Sequence, residues 1–410
     1  MSQNDSTFRG DPNQVLQTLK EIERQKKSRR DYIVTGPALS VDDKRSLVFT
    51  GRDTFAVEGK VFTEWADAEI ALDAVQREGG KPDAKIIPLG KAGAIPLKRT
   101  AERQLADKLG IPIKYVDALH EGQHSDLAAH NFTTLLARTD KKLMVRTLDN
   151  QVRAVLSNGY RILDNCDVFF AAADELDKAK AFPWHARLWD DGFELLAVSS
   201  TLHEAIARDF QKHAGEYHHW TPRDSDGDIH NAAARIRNSE TGCGGLNVDL
   251  CMFSRACNNT LVWQKGLAQI HLGRRQEEGA IRYAEDTQEA EAHTVWLKLR
   301  DTIRAAFDPE KFAEAMDGLR GLTTRRIANP EKAVERVAEK YGLPEEKRAD
   351  ILRKLFTSND LTAFGLVQAV TFQAHAADEA KDGARASEFE EIGGAIARMN
   401  EKDFTELVKA

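Results

Sequence analysis

The stretch KKLMVRTLDNQVRAVLSNGYRILDN, from Lys141 to Asn165, constrains the fold of this chain more than any other. Leu143, Val145 and Thr147, then Val152, Ala154 and Leu156, give two period-two patterns on either side of Asp149 and Asn150. Such a run reads as two strands joined by a tight turn. Arg146 and Arg153 face the other way, and a register symmetric about Asn150 would set both guanidinium groups on one solvent face. Tyr160 and Arg161 follow Ser157, Asn158 and Gly159, a turn composition, and add a basic and aromatic surface beside the sheet.

At 410 residues and 41% hydrophobic content, the chain can bury one large core or a few smaller ones. The expected organisation is an N-terminal tail and helix at 1–30, an α+β core at 31–270 and a helical C-terminal region at 271–410. The formal charge of -7 would not by itself draw nucleic acid or an anionic membrane, so polyanion binding would need a local basic face. Cys166, Cys243, Cys251 and Cys257 form no CxxC pair, and the charged N-terminus carries no apolar signal segment. A reduced cytoplasmic setting is expected. No apolar run approaches the ~20 residues of a membrane-spanning helix, so no membrane partner is expected.

In chain order, 13–30 reads as a helix whose Lys26, Lys27, Arg29 and Arg30 form a solvated basic end. Short strands are expected over 31–60, a helix over 62–74, strand and loop over 79–96, and a helix over 97–109 before Gly110 and Pro112. His120, His124 and His130 span a loop and two helical segments, so they read as surface or packing histidines; no HExxH motif is present. After the hairpin, Asp164 is placed to cap a helix whose Phe169, Phe170, Ala173 and Leu176 cover the sheet. Trp184–Trp189 and Phe193–Val198 read as a second hairpin, with Arg187 and Trp184 available to a binding face, and 202–212 as a helix. Strands that arrive as tight hairpins, rather than one after each helix, favour an antiparallel, hairpin-rich α+β architecture over a doubly wound parallel one.

A second focus runs from Ile229 to Leu261. Alternation through Ala232, Ala234 and Ile236, and again through Leu246, Val248 and Leu250, predicts two strands joined around Gly242, Gly244 and Gly245. Arg235, Arg237, Asn238, Ser239, Arg255, Asn258 and Asn259 carry groups suited to phosphate or base contacts, and equally to turns and sheet support. The irregular spacing of Cys243, Cys251 and Cys257 favours buried free cysteines over a zinc site, and Asp224, Asp226 and Asp228 around Gly227 lack the remaining ligands of a calcium loop. Neither a metal nor another cofactor is expected. Beyond 271, helices are predicted over 271–304, 307–319, 330–341, 345–355 and 361–374, then a linker at 381–387 and a last helix at 388–400.

The blocks MVRTLDNQVRAVLSNGYRILDN, RIRNSETGCGGLNVDLCMFSRACNNTLV and SNDLTAFGLVQAVTFQAHA resemble the phage and plasmid-like proteins grouped as domain of unknown function 932, over roughly residues 90–395. Arg146, Ser157 and Tyr160 match the first block of that pattern, Asn238, Ser239 and Gly242 the second, and Cys257 with Asn258 its ending. Asn259 departs from the glycine expected next. The resemblance implies a mobile-element setting and, more remotely, a relation to phage single-strand DNA annealing proteins of the lambda Red beta type, with a curved antiparallel sheet and assembly into rings or filaments. It implies single-stranded DNA binding and annealing without ATP by a homo-oligomer larger than a dimer. The nucleic-acid contacts would come from Arg146, Arg153, Tyr160, Arg161, Arg235, Arg237, Asn238, Ser239, Arg255 and Asn258. The chain has no GKS or GKT phosphate loop for an ATP-driven recombinase and no recognised catalytic motif. The alternatives are a metal-dependent nucleic-acid processing enzyme using His218, His219, Asp228, His230 and Glu240, and a structural mobile-element protein without DNA contact.

Overall fold

The computed structural model describes residues 6–9, 12–49, 53–57, 60–62, 84–88, 94–158, 160, 163–206, 228–255, 257–269 and 285–408. Described strands are β1 (Ser6–Arg9), β2 (Arg30–Thr35), β3 (Leu39–Val41), β4 (Ser46–Phe49), β5 (Asp53–Val57), β6 (Lys60–Phe62), β7 (Ala84–Pro88), β8 (Ala94–Pro96), β9 (Lys142–Leu148), β10 (Gln151–Ser157), β11 (Ala181–Trp189), β12 (Gly192–Ile206), β13 (Asp228–Asn238), β14 (Leu246–Ser254) and β15 (Thr260–Gln269). The helices are α1 (Pro12–Ser28), α2 (Arg99–Lys108), α3 (Ile113–Glu121), α4 (Ser125–Leu136) and α5 (Asn165–Lys178), followed in the C-terminal region by α6 (Glu285–Ala306), α7 (Pro309–Thr324), α8 (Pro330–Tyr341), α9 (Glu345–Thr357), α10 (Ala363–Thr371), α11 (Gln373–Glu379), α12 (Gly383–Ala397) and α13 (Glu401–Val408).

This is an α+β fold built on antiparallel sheets. One sheet has the order β1-β11-β12-β13-β14-β15, a second β10-β9-β2-β6-β5-β7, and a third β3-β4-β8. The parallel pairing of β2 with β6 is the exception to antiparallel order among the described strands. In the opening hairpin, Asp149 and Asn150 have φ of 50° and 59°. Two successive left-handed residues make the turn whose twist suits a two-residue hairpin, and Asp and Asn tolerate that backbone better than most side chains. Leu148 pairs with Gln151 as a symmetric register requires, but a bulge then sets Ala154, not Arg153, opposite Arg146.

The first sheet is buried on both faces. Phe193, Leu195 and Ala197 of β12 pack with Val15 and Ile22 of α1, Val168 and Leu176 of α5, and Leu299 and Ile303 of α6. The intervening Leu196 and Val198 share the opposite face with Ala233, Cys251, Phe253 and Trp184. Further along, Ile206, Ala232, Met252 and Leu261 join a large cluster with Phe312, Met316, Leu366, Phe364 and Phe389 of the C-terminal helices. Gly394 lets α12 lie against β15, because a Cβ there would collide with the Val262 carbonyl.

Several boundaries differ from the sequence reading. Residues 202–206 continue β12 past a bulge between Val198 and His203 instead of starting a helix; 207–212 lie outside the described residues, as do 63–74 and 271–284. The expected linker at 381–387 is largely the first turn and a half of α12, whose Arg385 amide is capped by the Asp382 side chain. Phe170 is exposed on α5, and Leu176 covers the sheet there. Cys243 is exposed rather than buried.

Candidate functional site

Arg146 and Arg153 do point the same way, but toward protein. Both are buried against the corner that follows β13. Arg146 Nε donates to Asp31 Oδ1 at 2.8 Å, Nη2 to Asp164 Oδ1 at 3.1 Å, and Nη1 to the Glu240 carbonyl at 2.7 Å. Arg153 Nη1 meets Glu240 Oε2 at 3.3 Å, and its Nη2 donates to the Asp190 carbonyl at 2.9 Å. Arg29 completes the cluster, donating to Asp164 Oδ2 at 2.5 Å and lying 3.5 Å from Glu240 Oε1. Three guanidinium groups thus face the carboxylates of Asp31, Asp164 and Glu240. Burial works against the charge of Arg146, but Asp31, Asp164 and Glu240 outweigh it and raise its proton affinity above the ordinary value. A solvent-facing phosphate contact by this pair is therefore corrected to a buried ion cluster. Asp164 does sit at the N-cap of α5, yet its carboxylate serves the two arginines and makes no cap hydrogen bond.

The two sequence blocks meet at this corner. Tyr160, half-buried, donates its hydroxyl to the Ser239 carbonyl at 3.3 Å, and burial raises its phenol above the ordinary range. Asn238 Nδ2 donates to the Leu163 carbonyl at 2.8 Å and to Asn165 Oδ1 at 2.9 Å. Gln104 bridges the two sheets: its Nε2 donates to the Thr241 carbonyl at 2.7 Å and its Oε1 accepts from the Val155 amide at 2.9 Å. Asn238 and Ser239 are buried, so they hold the corner and offer no open surface. Arg161 lies outside the described residues.

Arg235 and Arg187 enter a second buried network, on the face of the first sheet beneath α11 and α12. Arg235 Nη2 donates to Asp249 Oδ2 at 2.7 Å and its Nη1 to Glu390 Oε2 at 3.3 Å. Arg187 Nε donates to Asp378 Oδ1 at 2.7 Å and its Nη2 to Glu390 Oε1 at 2.8 Å, while Nη1 pairs with Glu194. Burial alone would raise the Glu194 carboxyl, but Arg187, His185 and Arg235 hold it well below the usual range. Arg237, half-buried, pairs with Glu391 and with Asp249. Neither Arg187 nor Arg235 is open to a ligand; both fasten helices to the sheet.

Arg255 and Asn258 belong to the β14–β15 turn. Arg255 is exposed, with its Nε donating to Asn231 Oδ1 at 2.8 Å, and Asn258 is half-buried with φ 54°. Beside them Cys257 Sγ donates to Ser254 Oγ at 3.2 Å, and Ser254 Oγ donates to Asp228 Oδ1 at 2.7 Å. Burial, helped by the Asp228 charge, pushes the Cys257 thiol up to about 12, so it rests as an unreactive thiol. Asp228, read as part of a solvated loop, is buried in β13.

The residues of the enzymatic alternative are not assembled. Asp228 and His230 open the 11-residue β13, whereas Glu240 lies beyond its far end, roughly 35 Å away at ~3.4 Å per residue. His218 and His219 lie outside the described residues. His120 hydrogen-bonds Ser125 Oγ and Glu102 Oε1, each at 2.8 Å, while His124 and His130 are exposed. Among the described residues no group of three or more His, Cys, Asp or Glu side chains is placed to hold a metal ion.

Exposed cations outside these networks were not singled out by motif reading. Lys108 ends α2, and Arg138 and Lys141 lie on the α4–β9 connection; all three are exposed, and none forms an ion pair with a described residue. Desolvation lowers the proton affinity of Lys108, Asp107 opposes it, and the neighbouring Lys141 charge lowers it further. Lys108 and Lys141 thus lie near enough for one charge to disfavour the other, with Asp107 partly offsetting it. The sequence signal was the Lys141–Lys142 pair at the hairpin's open end, but composition alone could not place Lys108 beside it. No family model, no curated protein and no solved structure matches this chain.

Proposed function

We propose that this chain binds single-stranded nucleic acid and promotes pairing of complementary strands without ATP, as a homo-oligomer larger than a dimer, in phage or plasmid recombination. The observation that carries the reading is the exposed pair Lys108 and Lys141, near enough for the charge of one to act on the other, with the exposed Arg138 on the same connection as Lys141, cations left unpaired by described residues while the buried arginines are neutralised. The resemblance of the hairpin and corner blocks to phage and plasmid-like proteins supplies the setting and the annealing role. Ammonium and guanidinium groups would hold phosphates, base pairing would supply sequence recognition, and no bond would be made or broken. Arg255, at the β14–β15 turn, is a further exposed candidate contact.

Fluorescence anisotropy with labelled single-stranded and duplex oligonucleotides of equal length tests binding, and a complementary-strand annealing assay with and without ATP tests the activity. Tighter binding of the single strand, steep weakening with salt, and ATP-independent annealing are expected. Light scattering across a concentration series should find assemblies larger than a dimer that DNA stabilises or enlarges. A folded, persistent monomer that neither binds nor anneals at low salt would overturn the proposal, and stable assembly indifferent to DNA would replace it with a structural role.

A further inference from the structure

A pocket of about 330 Å³ opens where the α5–β11 turn, the β12 bulge and the α6–α7 junction meet, with Lys178, Lys180, Ser199, Thr201, Phe307 and Pro309 among its walls. Its polar side is built rather than incidental. Ser200 donates both its amide and its hydroxyl to the Lys180 carbonyl, each at 2.9 Å. The buried Ser199 Oγ accepts from the Thr201 and Leu202 amides at 3.3 and 3.0 Å, and Asn231 Nδ2 donates to the Ser199 carbonyl at 2.7 Å. These bonds pin the bulge that turns Thr201 toward the pocket. Lys180 itself is held at φ 49°, a left-handed backbone where lysine is uncommon.

Glu175 and Asp308 are already committed. Arg304 and Lys178 share the Glu175 carboxylate at 2.7 Å each, and Asp308 accepts from the Glu310 and Lys311 amides, both at 3.0 Å, as the cap of α7. Asp177, on the same turn as Lys180, and Glu310, next to Pro309, are exposed acids close in sequence to the lining residues. Lys180 is exposed, and the half-buried Phe307 and the exposed Pro309 are among the lining residues as well. The volume is at the small end of the ~300–1,000 Å³ typical of ligand pockets. It has room for one nucleotide and none for a duplex.

We propose that this pocket binds a small ligand joining a phosphate to a flat ring, of the nucleoside monophosphate class, with the phosphate toward Lys180, because Lys178 is held by Glu175, and the ring toward Phe307 and Pro309. The pocket's lining includes none of Lys108, Arg138 and Lys141, so it stands or falls without the strand-binding reading.

Isothermal titration calorimetry of the full chain with deoxyadenosine monophosphate, deoxyadenosine and inorganic phosphate tests it. The monophosphate should bind more tightly than either half alone. Lys180→Asn removes the cation while keeping a side chain that tolerates the backbone, and Thr201→Trp fills the space from an exposed position. Each should weaken the monophosphate at least about tenfold, or ~1.4 kcal/mol. A variant with Lys108, Arg138 and Lys141 replaced by glutamine should bind it as the parent does, which separates this site from the strand-binding patch. Absence of monophosphate binding at millimolar concentration, equal binding of deoxyadenosine, or undiminished binding by both pocket variants would overturn the proposal.

Discussion

Arg146 Nη1 donates to the Glu240 carbonyl oxygen at 2.7 Å, joining residues 94 positions apart, and Arg153 Nη1 meets the carboxylate of that same Glu240 at 3.3 Å. One residue of the first sheet's corner therefore holds two arginines of the hairpin in the second. The cluster costs desolvation energy that its mutual attraction offsets only while every partner is present. Arg146→Ala should lower unfolding free energy by ~3–5 kcal/mol, because Asp31 and Asp164 would be left buried with too little positive charge. Urea denaturation followed by circular dichroism measures it. An unchanged midpoint would show that water reaches the cluster freely.

Glu240→Gln tests the same cluster from the other side, since it keeps the shape and the carbonyl contact to Arg146 but removes the charge facing Arg153 and Arg29. Its expected loss is of the same sign, on the order of 3 kcal/mol. A stability equal to the parent in the same urea titration would mean that Arg153 and Arg29 do not need the Glu240 charge.

Gly242 lies one turn beyond, at φ +77°, where a Cβ would come within 2.7 Å of Leu156 Cδ2 and 3.6 Å of Tyr160 Cε2. The left-handed backbone favours glycine, and a Cβ would in addition push the Leu156 methyl aside. Gly242→Ala should destabilise the chain by about 1–3 kcal/mol, and Gly242→Asn by less in the backbone part but more in the contact. Thermal melts of the two variants beside the parent decide the matter; parent-like melting by Gly242→Ala would rule out a tight corner.

Glu175 provides an acid-dependent contact between α5 and α6. Hydrogen bonds from Arg304 and then Lys178 hold its carboxyl down to about 2, against an ordinary value of 4.5. A carboxyl depressed in the folded state contributes stability that is fully present above its unfolded pKa and is lost as the pH falls through the folded one. The Glu175 contribution should therefore fade between about pH 4.5 and pH 2. Glu175→Gln should flatten that part of the stability profile relative to the parent. Parallel profiles for the two proteins would exclude the contribution.

The hairpin was legible because its information is local: alternation sets the strands and Asp149–Asn150 sets the turn. The strands of β13 and β14 and most C-terminal helices were legible on the same grounds. The destination of the arginines was not, because it depends on chain segments far apart in sequence. Arg235 meets Glu390 at a separation of 155 residues, and Arg187 meets Asp378 at 191. An arginine in an alternating strand looks solvent-facing until a helix carrying carboxylates is laid over it. The bulge at Arg153 was equally hidden, since nothing in QVRAV distinguishes a bulged from a regular strand. The β12 run past Ser199 read as helix because a bulge breaks the period-two pattern and the continuation carries helix-forming residues.

Lys108, Arg138 and Lys141 give the proposed strand-binding surface its sharpest test, because each is exposed and none is engaged by a described carboxylate. Replacing all three with glutamine should leave unfolding free energy within about 0.5 kcal/mol of the parent, as exposed substitutions usually do. Single-strand affinity should fall at every sequence tested, since phosphates carry no sequence information. The dependence of log affinity on log salt should become shallower by roughly two, at ~0.7 for each single-strand phosphate that the variant no longer neutralises. Arg146→Ala, by contrast, should show its effect in the denaturation curve first. A triple variant that stays folded and keeps the parent's affinity and salt slope would move the contact surface elsewhere, with Arg255 the next exposed cation to test.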